Sequence, residues 1–230
     1  MTRILAIEAA TDACSAALLV DETVYERFEI APRQHVALML PFVESLLADA
    51  GTSLGQLDAV AFGCGPGSFT GVRIAAGLTQ GIAFGAGLPV IPVSTLAALA
   101  QGAVREHGAK AVLAALDARM QEVYWGAFRT DAEGLVEGVG EERVCAPDTV
   151  DCPQQGDWVG VGSGWDTYAG LLAPRCSVPA TRVHVKQHPH ATDVARLAAR
   201  AFAQGKALAP EQAIPVYLRN NVANKPKPRV

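Results

Sequence analysis

The segment that most limits how this chain can fold is "GCGPGSFTGVRIAAGLTQGIAFG", residues 63 to 85, with seven glycines and one formal charge, Arg73. It overlaps the end of the apolar run "LDAVAFGCG", so a strand enters a glycine turn, and a helix is expected from about Thr70 to Phe84. Such a turn invites a phosphate, because the first N–H groups of a helix have no partners within it. The specific ligands are missing. No glycine is followed by Gly-Lys at P-loop spacing, and "GCGPGS" lacks the last glycine of the dinucleotide fingerprint. Inside the helix, Gly77, Gly81 and Gly85 recur every four residues and lie on one stripe. Each costs about 1 kcal/mol relative to alanine, so the three cost roughly 3 kcal/mol. Close approach of a second helix along bare backbone offsets that loss. Ile74 and Leu78 flank the stripe, and Ala75, Ala76, Ile82 and Ala83 cover the rest, so the helix must be buried on two fronts. One front is its own sheet. The other needs a helix from this chain or from a partner.

The preceding helical segment, "HVALMLPFVESLLADAG", ends at Gly51 and should kink or shift its start at Pro41. Val36, Leu38, Met39, Leu40, Phe42, Val43, Leu46 and Leu47 exceed a single face. Two such helices either pack on each other under the sheet or present a docking patch. The docking surface expected from the pattern comprises Leu38, Met39, Phe42 and Leu46 with Ile74, Gly77, Leu78, Gly81 and Gly85.

"RILAIEA", "CSAALLV" and "TVYERFEI" read as a three-strand antiparallel meander, and "PVIPV" as a later strand. "STLAALAQGAVREHG" is a helix capped by Ser94 or Thr95. The order then partly repeats. "KAVLAALDAR" and "EVYWGAFR" form a hairpin, "GLVEGVGEERVC" adds strand material, "DWVGVGSG" leads into "WDTYAGLL", and the helix "ATDVARLAARAFAQGK" closes the series. Meander followed by helices, twice, predicts two related α/β lobes, residues 1–95 and 96–218, with a basic tail at 219–230.

Half of the 230 residues are hydrophobic and 18% are charged, enough apolar material for a core; the net charge of −4 excludes a generally basic nucleic-acid binder. The last fourteen residues are the local exception, with Arg219, Lys225, Lys227 and Arg229 and no acid. Their alternation with Pro226 and Pro228 fits either a segment touching RNA phosphates or a solubilising end. Five scattered cysteines, at 14, 64, 145, 152 and 176, contain no C-x-x-C and predict reduced thiols in a cytoplasmic protein. The N-terminus, interrupted by Glu8 and Asp12, reads as neither signal peptide nor membrane span.

"ILAIEAATDACSAAL", "GPGSFTGVRIAAGLTQGIAFG", "LAALDARMQEVYWGAF" and "PVYLRNNVA" closely resemble the TsaB (YeaZ-like) family, over the chain from its first strand to about residue 223. The resemblance implies an actin-like, sugar-kinase-type (ASKHA) fold whose two lobes each hold a five-stranded mixed sheet. It implies a non-catalytic dimerisation subunit, with no cofactor and no metal of its own. Its partner would be a catalytic paralogue, TsaD, which carries out N6-threonylcarbamoylation of the adenosine beside the anticodon in tRNAs reading codons that begin with A. A small ATPase, TsaE, would join the pair. The helices at 35–50 and 70–85 would form the contact, or a homodimer through the same surface, and tRNA contact would be chiefly indirect. The paralogue holds its metal with H-x-x-x-H; here Thr95 and Leu99 stand in those places, and neither is an adequate ligand. The paralogue's S-G-G-H-T phosphate turn appears as "LDARMQE", with Asp117 and Arg119 replacing the glycine pair. The rival expectation is a stand-alone ATP-dependent phosphotransferase or a protease of the actin-like superfamily, for which Glu8 would be the early acid.

Other clusters read as structural. His184, His188 and His190 surround Pro189 with no cysteine or paired carboxylate and are expected in a surface loop. Asp117, Arg119 and Glu122 suit an ion pair at a hairpin, and His35 a capping or packing role. Ser68 lacks the G-x-S-x-G elbow, and "GVGSG" at 160 to 164 suits a strand-end turn.

Overall fold

The computed structural model describes residues 2–153 and 156–219. The first sheet is built from β1 (Arg3–Glu8), β2 (Ala13–Val20), β3 (Thr23–Ile30), β4 (Ala59–Gly65) and β5 (Val90–Ser94), in the order β3-β2-β1-β4-β5. The meander is antiparallel, whereas β1, β4 and β5 are parallel. The second sheet repeats the plan. Strands β6 (Ala111–Asp117), β7 (Val123–Thr130), β8 (Val136–Gly138), β9 (Arg143–Cys145), β10 (Trp158–Val161) and β11 (Val183–His184) run in the order β11-β10-β6-β7-β8, with β9 also on β7. Here too the hairpin strands are antiparallel, and β6, β10 and β11 are parallel. The same order with the same strand senses, occurring twice, gives two related lobes of the actin-like, sugar-kinase type.

The two-residue period of each strand sorts its side chains into layers. On β1, Leu5 and Ile7 face helices α1 (His35–Asp49) and α2 (Phe69–Ala86), and Ile4 and Ala6 face the opposite side. That side is filled by α3 (Thr95–His107) and α5 (Ala191–Ala203), which also receive Val112, Ala114 and Leu116 of β6. The other face of β6 packs Leu113 with Trp125 and Trp165 under α4 (Ser163–Cys176). Five layers result, with α3 and α5 held between the sheets. The chain's late helix thus returns to the first sheet. Its N-terminus is held there by Glu26 of β3, which accepts hydrogen bonds from the Thr192 N–H (3.2 Å) and the Ser15 hydroxyl (2.9 Å) and meets His190 Nδ1 at 3.1 Å. His190 and the helix N–H draw the Glu26 carboxyl below its ordinary value against the opposing effect of burial.

Helix α2 starts at Phe69 and extends to Ala86, with Gly87 in the left-handed conformation (φ 67°) as its cap. Ser94 caps α3 by accepting from the N–H groups of Leu96 and Ala97. The kink expected at Pro41 does not interrupt α1, which runs unbroken from His35 to Asp49. Pro41 and Ala37 both lie on the exposed side, so the carbonyl that loses its donor is open to water.

The expectation of wholly reduced cysteines is corrected. Cys152 and Cys176 form a disulfide, with Cα atoms 5.2 Å apart, while Cys14, Cys64 and Cys145 are free. Their separation of 24 residues carries no pairing signal; the packing of α4 over the second sheet brings them together. Closing a loop of that size is worth about 3 kcal/mol in the chain-entropy account. Reductant is therefore expected to lower the thermal midpoint, and Cys152→Ser to abolish the response to reductant. Identical melting with and without reductant would contradict the pairing.

Candidate functional site

The glycine-rich segment divides into two halves with different roles. A Cβ at Gly63 would collide with the Glu8 carboxylate, and one at Gly71 with the Ala9 carbonyl oxygen. These glycines permit internal contact of the loop and the first turn of α2 with the β1–β2 corner. A Cβ at Gly77, Gly81 or Gly85 would meet nothing within 4 Å. The second half of the stripe is bare backbone open to the outside.

Because β3 and β4 are parallel, the helices that come after them, α1 and α2, start at the same end of the sheet and lie on the same face. Their inner sides fill the core with Met39, Val43, Leu46, Ala75, Ala76 and Ala83. Two members of the expected docking surface are corrected here: Met39 and Leu46 are both 0% exposed and face the chain's own sheet. The i, i+4, i+7 series Met39, Val43, Leu46 is one turn-face of α1, and apolar excess alone does not say which face points inward. Leu38, Phe42 and Leu78 are half-buried and pack against the core below, and Ile74 is half-buried. The outward side carries Val36 (68% exposed), Leu40 (47%) and Phe84 (80%), which the sequence reading did not assign to the site. Val36 lies three residues before Met39 and seven before Val43, next to the buried series on the helix, so the spacing gave no signal that it would be exposed. The two helices thus carry exposed large apolar side chains, and α2 has bare backbone at positions 77, 81 and 85.

The interlobe seam forms a second notable region. Glu8, at the end of β1, is fully buried; its carboxyl accepts from the Ala10 N–H at 2.6 Å and the Thr95 hydroxyl at 3.2 Å. Burial pushes its pKa up to about 7 despite the hydrogen bonds from Ala10, Thr95 and Ala9. Glu142, from the second lobe, is also raised by burial and accepts a hydrogen bond from the Ser94 hydroxyl. Between these carboxyls, burial followed by their negative charges pushes the Cys64 thiol up to about 12. Thr95 and Leu99, in the places where a metal-holding pair would be needed, are both fully buried. Among the described residues no three histidine, cysteine or carboxylate side chains are grouped to hold a metal. The hydroxyls have structural duties: Ser94 caps α3, and Ser68 caps α2 by accepting from the Gly71 N–H at 3.4 Å.

The remaining candidates are dispersed. His184 stacks on His107 (centroids 3.7 Å apart), His190 on Phe28 (4.1 Å), and His188 stands tilted to Phe28 at 6.3 Å. All three are half-buried. His35 is buried, and its Nε2 donates to the Thr11 carbonyl at 2.9 Å, a packing role. Arg119 pairs with Asp117 at 3.1 Å, and Glu122 pairs with Arg219 at 2.6 Å. Lys225, Lys227 and Arg229 lie outside the described residues.

The duplicated sheets define an actin-like, sugar-kinase-type protein with a large outward helix face. A family model described as "TsaD: tRNA N6-adenosine threonylcarbamoyltransferase" matches residues 21–227. The chain is 49% identical to the tRNA threonylcarbamoyladenosine biosynthesis protein TsaB of Escherichia coli (strain K12), over 98% of each chain. It is 39% identical to the TsaB of Haemophilus influenzae, covering 98% of this chain and 97% of that one. The solved structure of YeaZ from Pseudomonas aeruginosa superimposes with a TM-score of 0.88 at 45% identity, covering 95% of this chain and all of that one. The chain belongs to the TsaB (YeaZ-like) family of tRNA threonylcarbamoyladenosine biosynthesis proteins. No helix among the described residues is long and apolar enough to cross a membrane.

Proposed function

We propose that this chain is a cytoplasmic, non-catalytic subunit that pairs through the α1–α2 face with a TsaD-type catalytic paralogue, a TsaE-type ATPase joining the pair. The observation that carries the reading is the open stripe at Gly77, Gly81 and Gly85, on a helix pair that also exposes Val36, Leu40 and Phe84. Bare backbone lets a second helix approach closely, and the exposed apolar side chains then leave water. The match of a TsaD family model to most of this chain supports a partner of the same fold, able to offer an equivalent helix pair about a pseudo-two-fold axis. Loss of catalytic equipment supports the non-catalytic role: Thr95 and Leu99 are buried non-ligands, and Asp117 and Arg119 occupy the phosphate turn.

The decisive experiment is a tRNA-modification assay from purified subunits with each omitted in turn. Modification is expected to require this chain, and this chain without the paralogue is expected to produce none. Turnover by this chain alone would sink the reading. Calorimetry of the isolated chain with ATP and magnesium tests the rival phosphotransferase, which requires tight binding and turnover.

A further inference from the structure

The stretch after α5 ties the two lobes together at the carboxyl ends of their parallel strands. Leu208 exchanges backbone hydrogen bonds with Val90 of β5 (2.8 and 2.9 Å), and Ala213 is buried in the core beneath α1 and α2. The Val216 N–H then donates to the carbonyl of Cys64, near the end of β4, at 2.7 Å. Three residues on, the Arg219 guanidinium reaches the turn that follows β6. It donates to the Ala118 carbonyl at 2.9 Å and the Arg119 carbonyl at 3.4 Å, and it pairs with Glu122 at 2.6 Å. Residues 213–219 thus form a strap from the first lobe to the second. Between its anchors the strap is lightly held: Ile214 and Val216 are exposed, and Tyr217 leans on Phe69 and Arg73, which are exposed themselves. Segments fixed by few buried contacts are the first to open.

The turn at the far end is held in an unfavourable shape. Arg119, Met120 and Gln121 have φ values of 60°, 55° and 62°, three successive side-chain-bearing residues in the left-handed region. There a Cβ crowds the carbonyl oxygen, a cost that glycine is spared. Such a run persists only where its surroundings over-determine it. Asp117 holds one side by accepting from the Arg119 N–H at 2.9 Å, and Arg219 holds the carbonyls. The strap also borders the interlobe seam. Cys64 gives its carbonyl to Val216, and its thiol is close enough to Glu8 and Glu142 to feel both carboxyls. The seam closes where open α/β sheets take their ligands, beyond the carboxyl ends of the strands.

We propose that residues 213–219 are a latch that keeps the seam between the lobes shut, with Arg219 as its catch and the left-handed turn at 119–121 as the sprung part it holds. While Arg219 is seated, its charge-assisted hydrogen bonds offset the cost of the turn. When it leaves, the turn relaxes into ordinary backbone, the strap lifts from Cys64, and the seam opens to solvent. The device is separate from pairing with a catalytic paralogue, and neither depends on the other.

The test uses two buried free thiols of the full chain, Cys64 at the seam and Cys14 within the first sheet. Opening of the seam exposes Cys64 alone, whereas global unfolding exposes both. Alkylation with iodoacetamide in the absence of reductant, followed by peptide mass spectrometry, gives the two rates. Arg219→Ala is expected to raise the Cys64 rate about tenfold or more, as loss of hydrogen bonds from a charged group does, with the Cys14 rate unchanged. Gln121→Gly is expected to lower the Cys64 rate roughly threefold below that of the unaltered chain, because glycine takes a φ near 60° without strain and firms the closed latch. Equal Cys64 rates in Arg219→Ala and the unaltered chain would overturn the proposal. So would a parallel rise at Cys14, which would make Arg219 a support of the whole lobe. A Cys64 rate in Gln121→Gly at or above that of the unaltered chain would overturn it as well, since the turn would then hold no strain.

Discussion

Gly81→Arg is expected to abolish association with the catalytic paralogue while leaving the isolated chain folded and slightly more stable. A side chain at position 81 meets nothing in this protein, so the substitution creates no internal clash. Arginine is also a better helix former than glycine, by roughly 0.5–1 kcal/mol. Against a partner the same side chain is ruinous. Helices that pack across glycines have no room for a long side chain, and a guanidinium trapped there is an unpaired buried charge; the combined cost is on the order of 3–5 kcal/mol or more, or at least about a hundredfold in affinity. Sedimentation of the mixed subunits and thermal melting of the variant alone check the two halves. Gly71→Arg is the contrast within the same helix, because its side chain would drive into the Ala9 carbonyl and should unfold the first lobe. Undiminished pairing by Gly81→Arg would mean that the stripe does not face the partner.

The second large effect is expected from Glu8→Gln, which should stabilise the protein in alkaline solution and leave it unchanged in acid. The carboxyl has a pKa of about 7 when folded and 4.5 as a free group. Below 4.5 it is protonated in both states and contributes no pH dependence. Between 4.5 and about 7 the folded state keeps a proton that the unfolded chain has released, so stability falls as pH rises. Above about 7 both states are ionised and the loss levels off at about 3 kcal/mol. Glutamine keeps the neutral shape at every pH and can still accept from the Ala10 N–H. The variant should therefore melt higher by about 5–10 °C near pH 9, with no difference near pH 4. Glu142 contributes in the same direction and Glu26 in the opposite one at low pH, so the difference between Glu8→Gln and the unaltered protein isolates Glu8. Superimposable stability–pH curves would refute the assignment.

Most of the architecture was legible because each element carries its own local signal. The alternation in "RILAIEA" and "CSAALLV" marks strands that place Ile4 and Leu5 on opposite faces, and the repeat of meander and helices foreshadows the repeated sheet order. The four-residue glycine spacing identified the stripe, and the fold leaves it open. Three features were not legible, each for a reason of distance in the sequence. Met39 and Leu46 differ from Val36 and Leu40 only in which way the helix is rolled, and the sheet beneath decides that. Cys152 and Cys176 meet only after α4 has packed on its sheet. The tilted contact of Phe69 with Tyr217 joins residues from distant parts of the chain.

What the sequence determined by itself was periodic: which segments are strands or helices, that two lobes share one plan, and that a helix had lost side chains along one line. Which way each of those surfaces faces was decided only by tertiary structure. Local spacing fixes positions relative to one helix or strand, but burial depends on what the neighbouring layers cover. Gly71 and Gly81 are the same residue type in one helix and opposite in consequence, because the β1–β2 corner covers one and nothing in this chain covers the other.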